Sequence, residues 1–383
     1  MITTINNKHN KLNVPNLRFP EFQGEWEKKR LEECVEFLDG LRKPIKSEDR
    51  KSEQGLYPYY GASGIIDYID GYIFDGEYIL LSEDGANIID RNYRVAFIAK
   101  GKIWVNNHAH VLQPYDGFDI NFLSETLERL NYAVYNTGTT MPKLNQEVCR
   151  NINLKIPTTK EQNKIGNLLS LLNKRIATQN KIIEDLKKLK SAIIEKLYKG
   201  IQGTWYSYRQ LFSIINERNK QLEYSNVLSA SQERGMVSRE DLNLDIHFER
   251  SNISTYKIVK NGDYVIHLRS FQGGFAFSEK TGICSPAYTV LRPNNLLVYG
   301  YLSNYFTSRD FVKSLIIVTY GIRDGRSINV DEWLDMKVVI PSKEQQTHIA
   351  NVIESIENKI KNEETYSNCL LNQKQYLLRQ MFI

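Results

Sequence analysis

Two stretches of this 383-residue chain read as one text written twice. "IPTTKEQNKIGNLLSLLNKRI" (156–176) lies over "IPSKEQQTHIANVIESIENKI" (340–360) without a gap, at an offset of 184. Ile156/Ile340, Pro157/Pro341, Gln162/Gln346, Ile165/Ile349, Asn167/Asn351 and Ile176/Ile360 coincide, and the register continues upstream through Asn145/Asn329. Further landmarks recur in the same order: "QGEW" (23–26) and "QGTW" (202–205), "GEYILL" (76–81) and "GDYVIH" (262–267), "HVLQP" (110–114) and "TVLRP" (289–293). A repeat constrains the fold more than composition can, because each half must be able to fold in the same way. The expected order is domain, helix, domain, helix.

The helical halves carry a heptad seam. Apolar positions step by four and three through Ile165, Leu169, Leu172, Ile176, Ile183 and Leu186, then Ile193 and Leu197. The second copy gives Ile349, Ile353, Ile356, Ile360, Leu370, Leu377 and Met381. Polar residues interrupt both seams at matching places, Gln179/Glu363 and Lys190/Lys374, which favours two equivalent helices packed on each other. Pro157 followed by Thr158-Thr159, and Pro341 followed by Ser342, supply start signals. A helix of ~40 residues is about 60 Å long. Such a pair, antiparallel, would act as a stiff spacer between two similar domains related by an approximate two-fold axis.

Each globular copy reads as α+β. "GYIFDGEYILLS" and "RVAFIAKGKIWV" favour strands, whereas "NFLSETLERLNYAVY" and "GYLSNYFTSRDFVKSLI" space their apolar residues as helices do. With 41% hydrophobic and 25% charged residues the chain has the composition of a soluble globular protein, and no apolar run approaches the ~20 residues of a membrane span. The opening "MITTINNKHNKLNVPN" lacks the apolar core of a secretory signal and reads as a flexible polar tail over residues 1–15. Cys34, Cys149, Cys284 and Cys369 form no CxxC pair, which argues against zinc and disulfides and for a reducing, cytoplasmic setting. A net charge of +5 is only a mild basic excess, while 23 tyrosines suit a binding surface.

Catalytic signatures are missing. "GGFAFSEKT" (273–281) spaces Gly274 and Lys280-Thr281 like a phosphate-binding loop, but Glu279 stands where glycine is needed and would repel phosphate. No methyltransferase glycine loop with its catalytic tetrapeptide, nuclease carboxylate pair or nucleophile elbow is present. The loops are richer. "LDGLRKPIK" (38–46) and "NERNKQ" (216–221) are matching basic segments, and "GIRDGRS" (321–327) mixes two arginines with glycines. "YPYYGASG" (57–64) and "HLRSFQGG" (267–274) add aromatic, amide and arginine groups. Arginine can grip guanine bidentately or clamp phosphate, and glycine lets backbone approach a sugar-phosphate chain.

The "QGEW"-type opening, "YPYYGASGIIDYIDGYIFDGEYILL", "WVNNHAHVL", "KLN…IPTTKEQNKI" and the repeated "IPSKEQQTHIANVI" together resemble the specificity subunit of type I restriction-modification enzymes. The resemblance covers nearly the whole chain and is stronger in the first half. It implies two similar target-recognition domains separated by two long helices in an antiparallel coiled coil, a pseudo-two-fold internal repeat. Residues 16–157 and 201–341 would be the domains, and 158–200 and 342–383 the spacer helices. It further implies a non-catalytic subunit with no cofactor or metal of its own. That subunit would bind a bipartite, asymmetric site on double-stranded DNA, one half per domain, with the unread gap set by the helices. Two modification subunits carrying S-adenosylmethionine and two motor-nuclease subunits using ATP and magnesium would dock on it, with no membrane involved.

Candidate DNA contacts in the first domain are Arg42, Lys43, Lys46, Tyr59, Tyr60, Ser63, Asn87, Asn106, Asn107, His108, Thr139, Thr140 and Lys143. In the second they are Arg218, Asn219, Lys220, Arg269, Ser270, Gln272, Tyr320, Arg323, Asp324 and Arg326. "NNHAHV" (106–111) looks at first like metal chemistry, but it lies over "SPAYTV" in the second copy, where both histidines are missing. A metal or catalytic role shared by both domains is thereby excluded. His108 and His110 are expected on one side of a strand, with hydrogen bonds inside their own domain as the plainer reading of Asn106, Asn107 and His108. The competing whole-chain reading is a coiled-coil scaffold joining two protein-binding modules, with no DNA role.

Overall fold

The computed structural model describes residues 3–4, 13–50, 55–231, 234–242, 250–267, 274–320 and 327–383. The chain divides into two compact units, Met1–Asn180 with Thr365–Ile383, and Lys181–Glu364.

After a short pair of Thr3–Thr4 with Leu17–Arg18, the first unit has strands β1 (Glu27–Arg30), β2 (Val35–Phe37), β3 (Tyr57–Gly61), β4 (Gly64–Ile69), β5 (Phe74–Ser82), β6 (Ala96–Val105) and β7 (Ala109–Pro114). They are followed by helix α1 (Ile120–Glu128), strand β8 (Asn153–Ile156) and the start of the 40-residue helix α2 (Thr159–Tyr198). Six strands form one sheet in the order β2-β7-β5-β6-β3-β4, antiparallel except for the β3–β6 pair, while β1 and β8 pair separately. Strands arise here because β-branched and aromatic residues alternate or run together between turns. Leu80, Val105 and Val111 pack one side of the sheet, and Ile79, Leu81 and Leu112 pack the other together with α1 and both long helices.

The second unit repeats the core of this plan with β9 (Thr204–Ser207), β10 (Phe212–Ile215), β11 (Tyr264–Ile266), β12 (Phe275–Phe277), β13 (Thr289–Pro293), β14 (Lys337–Ile340) and part of the 38-residue helix α3 (Lys343–Gln380), and adds short strand pairs of its own, among them Leu228–Ser231 with Gly235–Ser238 and Lys257–Val259 with Gly282–Cys284. Its sheet order β10-β13-β11-β12 matches β2-β7-β5-β6, and β9 pairs β14 as β1 pairs β8.

Strand pairing corrects two landmarks of the repeat. Tyr264 pairs Leu291 as Ile79 pairs Leu112, so Tyr264 corresponds to Ile79 and not to Tyr78. A one-residue slip would turn every side chain to the other face. Similarly, Ile340 pairs Thr204 as Ile156 pairs Glu27, an offset of 177, which sets Trp26 over Gly203 and leaves Trp205 without an equivalent tryptophan. Trp26 is buried against Phe122, whereas Trp205 is 65% exposed. A side chain at Gly203 has no room, because its Cβ would lie 2.3 Å from the Ile340 carbonyl oxygen.

The helix starts are alike in the two units. Thr158 Oγ1 accepts from Glu161 N and Ser342 Oγ accepts from Gln345 N, at positions 184 apart. The repeated glutamine then ties each helix to its domain. Gln162 donates to the Pro157 carbonyl and accepts from Asp119 N, and Gln346 donates to the Pro341 and Leu296 carbonyls and accepts from Val298 N. Only a side chain offering both donor and acceptor can do this.

Within each unit segments of the two helices run antiparallel. In the first unit Asn180 meets Ser367 at 2.9 Å, and Asn173 and Lys374 both reach Glu125 Oε1, at 2.8 and 3.2 Å. In the second, Lys187 pairs Glu364 and Lys190 pairs Glu357. The polar interruptions are thus matched: Lys190–Glu357 in one unit stands where Lys374 and Asn173 share Glu125 in the other. Ile165, Leu169, Leu172, Ile349, Ile353, Ile360, Leu370 and Leu377 are buried, and Ile176, Ile183, Leu186 and Ile356 are half-buried. Near the end of α2 the buried residue is Ile194, with Ile193 half-buried beside it. The expected tail is shorter than 1–15, because Asn13 is already fixed to the domain by the Trp26 N–H; residues 1–2 and 5–12 lie outside the described residues.

Candidate nucleic-acid interface

The loops singled out in the first copy, which follow β2, β3, β5 and β6, are bonded to one another. Each loop is stitched to the next. Trp104 Nε1 donates to the Lys43 carbonyl at 2.6 Å, and Ser82 Oγ donates to the Ala62 carbonyl at 2.6 Å. Asn106 N donates to the Tyr60 carbonyl, Glu83 N to the His108 carbonyl and Leu144 N to the Glu83 carbonyl. The surface they form exposes Lys43, Lys46, Ser63, Asn107, His108, Thr139, Thr140 and Lys143, with Tyr60 half-buried. These are hydrogen-bonding and cationic groups on loops tied to one another by hydrogen bonds, which suits phosphate and base-edge contacts.

Five candidates are not on that surface. Arg42 lies beneath it: Nη1 donates to Glu83 Oε2 at 2.7 Å and to the Ala109 carbonyl at 2.8 Å, and Nε donates to the Asp39 carbonyl at 3.1 Å. Tyr59 is 2% exposed, with its hydroxyl accepting from Ile45 N. Asn106 is buried and accepts from His108 N, and Asn87 spends its amide on the Tyr93 backbone. In the second unit Asn219 is 1% exposed, its Nδ2 donating to the Tyr224 carbonyl at 2.7 Å and its Oδ1 accepting from Tyr224 N. These side chains shape backbone, so their polarity signals internal bonding; sequence alone does not separate the two uses.

The two histidines also part company. Strand β7 begins at Ala109, so His108 sits exposed in the preceding turn, its Nδ1 2.9 Å from Asp84, while His110 is buried on the strand. His110 Nδ1 lies 2.6 Å from Asp39 Oδ2 and Nε2 lies 2.8 Å from the Leu144 carbonyl, which can only accept. Burial opposes a charge on this ring, but hydrogen bonds to Asp39 and Cys149 raise its pKa to about 10, making it an imidazolium that donates from both nitrogens. Burial likewise works against Asp39, yet the His110 contact, helped by Val111 N and Arg42, holds its carboxyl below the ordinary value. Asp39, Glu83 and His110 lie close enough to suggest a metal centre. The Arg42 guanidinium and the imidazolium already supply the positive charge, and both ring nitrogens are spoken for. Gln146 Nε2 completes the cluster by donating to Asp39 at 2.8 Å. The acidic members, Asp39, Glu83 and Asp84, are neighbours of the candidate surface that sequence reading missed; their signal was position, each falling just past a strand end.

In the second unit Arg218 and Lys220 are exposed on either side of Asn219. Tyr320 lies in a two-residue strand paired to Ser327–Ile328, its side chain outside the described residues. Arg269, Ser270, Gln272, Arg323, Asp324 and Arg326 also lie outside the described residues.

Comparison with known proteins gives this architecture a context. Residues 23–188 match the type I restriction modification DNA specificity domain. The chain is 27% identical over 355 residues to a type I restriction enzyme specificity subunit of Haemophilus influenzae, covering 87% of each. It is 25% identical over 394 residues to the MjaVIII specificity subunit of Methanocaldococcus jannaschii, covering 90% of this chain and 88% of that one. Among solved structures, the S subunit of a type I restriction-modification system from M. genitalium shares the fold with a TM-score of 0.63 at 14% identity, over 97% of this chain and 99% of that one. A chain from a structure on complex assembly and conformational transition of the type I R-M system gives a TM-score of 0.53 at 14% identity, over 93% and 97%. The chain is thus similar to type I restriction enzyme specificity subunits along most of its length, with the DNA specificity domain matched over residues 23–188.

Proposed function

We propose that the chain serves as the specificity subunit of a type I restriction-modification system and leaves catalysis to partner subunits, a reading supported by its similarity to such subunits. We propose that it binds double-stranded DNA at a bipartite, asymmetric target, one half read by each recognition domain, with the paired helices setting the unread gap. In this reading it also scaffolds two modification subunits, which bring S-adenosylmethionine, and two motor-nuclease subunits, which bring ATP and magnesium, in the cytoplasm. Among the described residues no helix is long and apolar enough to cross a membrane.

The observation that carries the proposal is the repeated junction: the same four-strand order, the same capped helix start and the same bonded glutamine, Gln162 and Gln346, in both units. Two readers of one design, each continuous with a long helix, suit two half-sites on one duplex better than they suit a single ligand. Exposed lysines supply salt-dependent phosphate affinity, and amide, hydroxyl and arginine groups supply discrimination. Mobility-shift titration of duplex DNA, with the subunit alone and with its methyltransferase partners, tests it. The expected result is DNA binding that weakens steeply with salt; a chain that binds protein partners but no DNA would support the scaffold reading instead.

A further inference from the structure

Strand pairing sets a polar pair in the same place in both units. Val35 pairs Pro114 and Phe212 pairs Pro293, so Arg42-Lys43 and Asn219-Lys220 each stand seven and eight residues past equivalent strand starts. In each pair the first side chain is bound to loop backbone and the second is exposed. Arg42 reaches the Ala109 carbonyl at 2.8 Å and the Asn107 carbonyl at 3.5 Å, and through Glu83 it holds the loop that follows β5. Asn219 closes the Tyr224 backbone from both sides and touches the Ile253 carbonyl at 3.5 Å, while its own N–H donates to the Tyr256 carbonyl. Lys43 is held by its carbonyl, which accepts from Trp104 Nε1.

We infer that Arg42 and Asn219 are positioning residues, one per recognition domain, that fix the loops reading each DNA half-site, and that the adjoining Lys43 and Lys220 contact phosphate. This rests on the DNA-reading function proposed above. Arg42 can give nothing to DNA without releasing Glu83 or the Asp39, Asn107 and Ala109 carbonyls, so its effect on recognition passes through the loop backbone. Asn219 acts in the same way although it carries no charge. What the two positions share is a bonded polar strut, and the chemistry of the strut has changed between copies. The lysine has not.

The test uses the complete subunit with its methyltransferase partners and DNA carrying the target found for the native complex. Methylation rates are compared on the native target and on duplexes altered in one half-site only. For Arg42→Gln, discrimination should fall at least about tenfold at the half-site read by the first domain and stay unchanged at the other. Asn219→Ala should show the converse. Lys43→Ala and Lys220→Ala should weaken binding to all duplexes alike and flatten the salt dependence by about one phosphate contact each. Should Arg42→Gln unfold the domain, Arg42→Lys keeps the charge beside Glu83 but loses the fork to the carbonyls, and is read in its place, with thermal melting as the control. Strut variants that melt normally and discriminate normally, or that lose both half-sites together, would overturn the assignment. A native complex with no sequence preference would defeat the DNA-reading function itself.

Discussion

At the residue scale the same amino acid serves different ends according to a few ångströms of depth. His108 and His110 are two apart, yet one faces solvent and the other is an imidazolium locked between Asp39 and the Leu144 carbonyl. The groups facing His110 are Asp39, Glu83, Arg42, Cys149 and Gln146, so the ring closes a buried network of alternating charge. With its pKa raised from 6.5 to about 10, its stabilisation is complete below pH 6.5 and fades as pH climbs toward 10, since the unfolded chain gives up the proton first. At the acid end the contribution fades as pH falls below Asp39's ordinary 3.8 toward its lowered value. His110→Asn should therefore cost about 3–5 kcal/mol near pH 6, where one partner of a buried pair is removed. By pH 10 most of that difference should be gone. Urea unfolding of native and variant protein across pH checks this; a gap independent of pH would mean the ring is held neutral.

At the element scale the helices were the most legible part of the chain. Their seams follow a heptad, and Thr158 and Ser342 mark the starts that the caps confirm. The register of the sheets was less legible. "GEYILL" over "GDYVIH" looks persuasive but is off by one, because similarity of letters ignores which face of a strand each residue must supply. "QGEW" over "QGTW" fails for a related reason: Trp26 fills a core, whereas its sequence counterpart lies exposed. The candidate surface was legible as a set of loops and illegible side chain by side chain, since Arg42 and Asn219 carry the polarity expected of contacts but are bonded to loop backbone. The glutamine junction gives the element-scale prediction. Gln346→Leu would strand the Val298 N–H and the Leu296 and Pro341 carbonyls, costing about 1–3 kcal/mol in denaturant unfolding. A loss under about 0.5 kcal/mol would show that the junction contributes little.

For the whole molecule, duplication is the organising fact. One strand order, one helix start and one helix-to-domain tie occur twice, while the loops between them differ in length and chemistry between copies. Under the proposed function, a duplicated scaffold with diverged loops would give an asymmetric target read by similar halves, with the unread gap set by the paired helices. The most direct measurement is the sequence context of every adenine methylated when this subunit directs its modification partners on genomic DNA. The account predicts a single motif with two specified blocks, different from each other and separated by an unspecified gap of one fixed length. Methylation confined to a single uninterrupted block, or spread over two blocks at variable spacing, would contradict it.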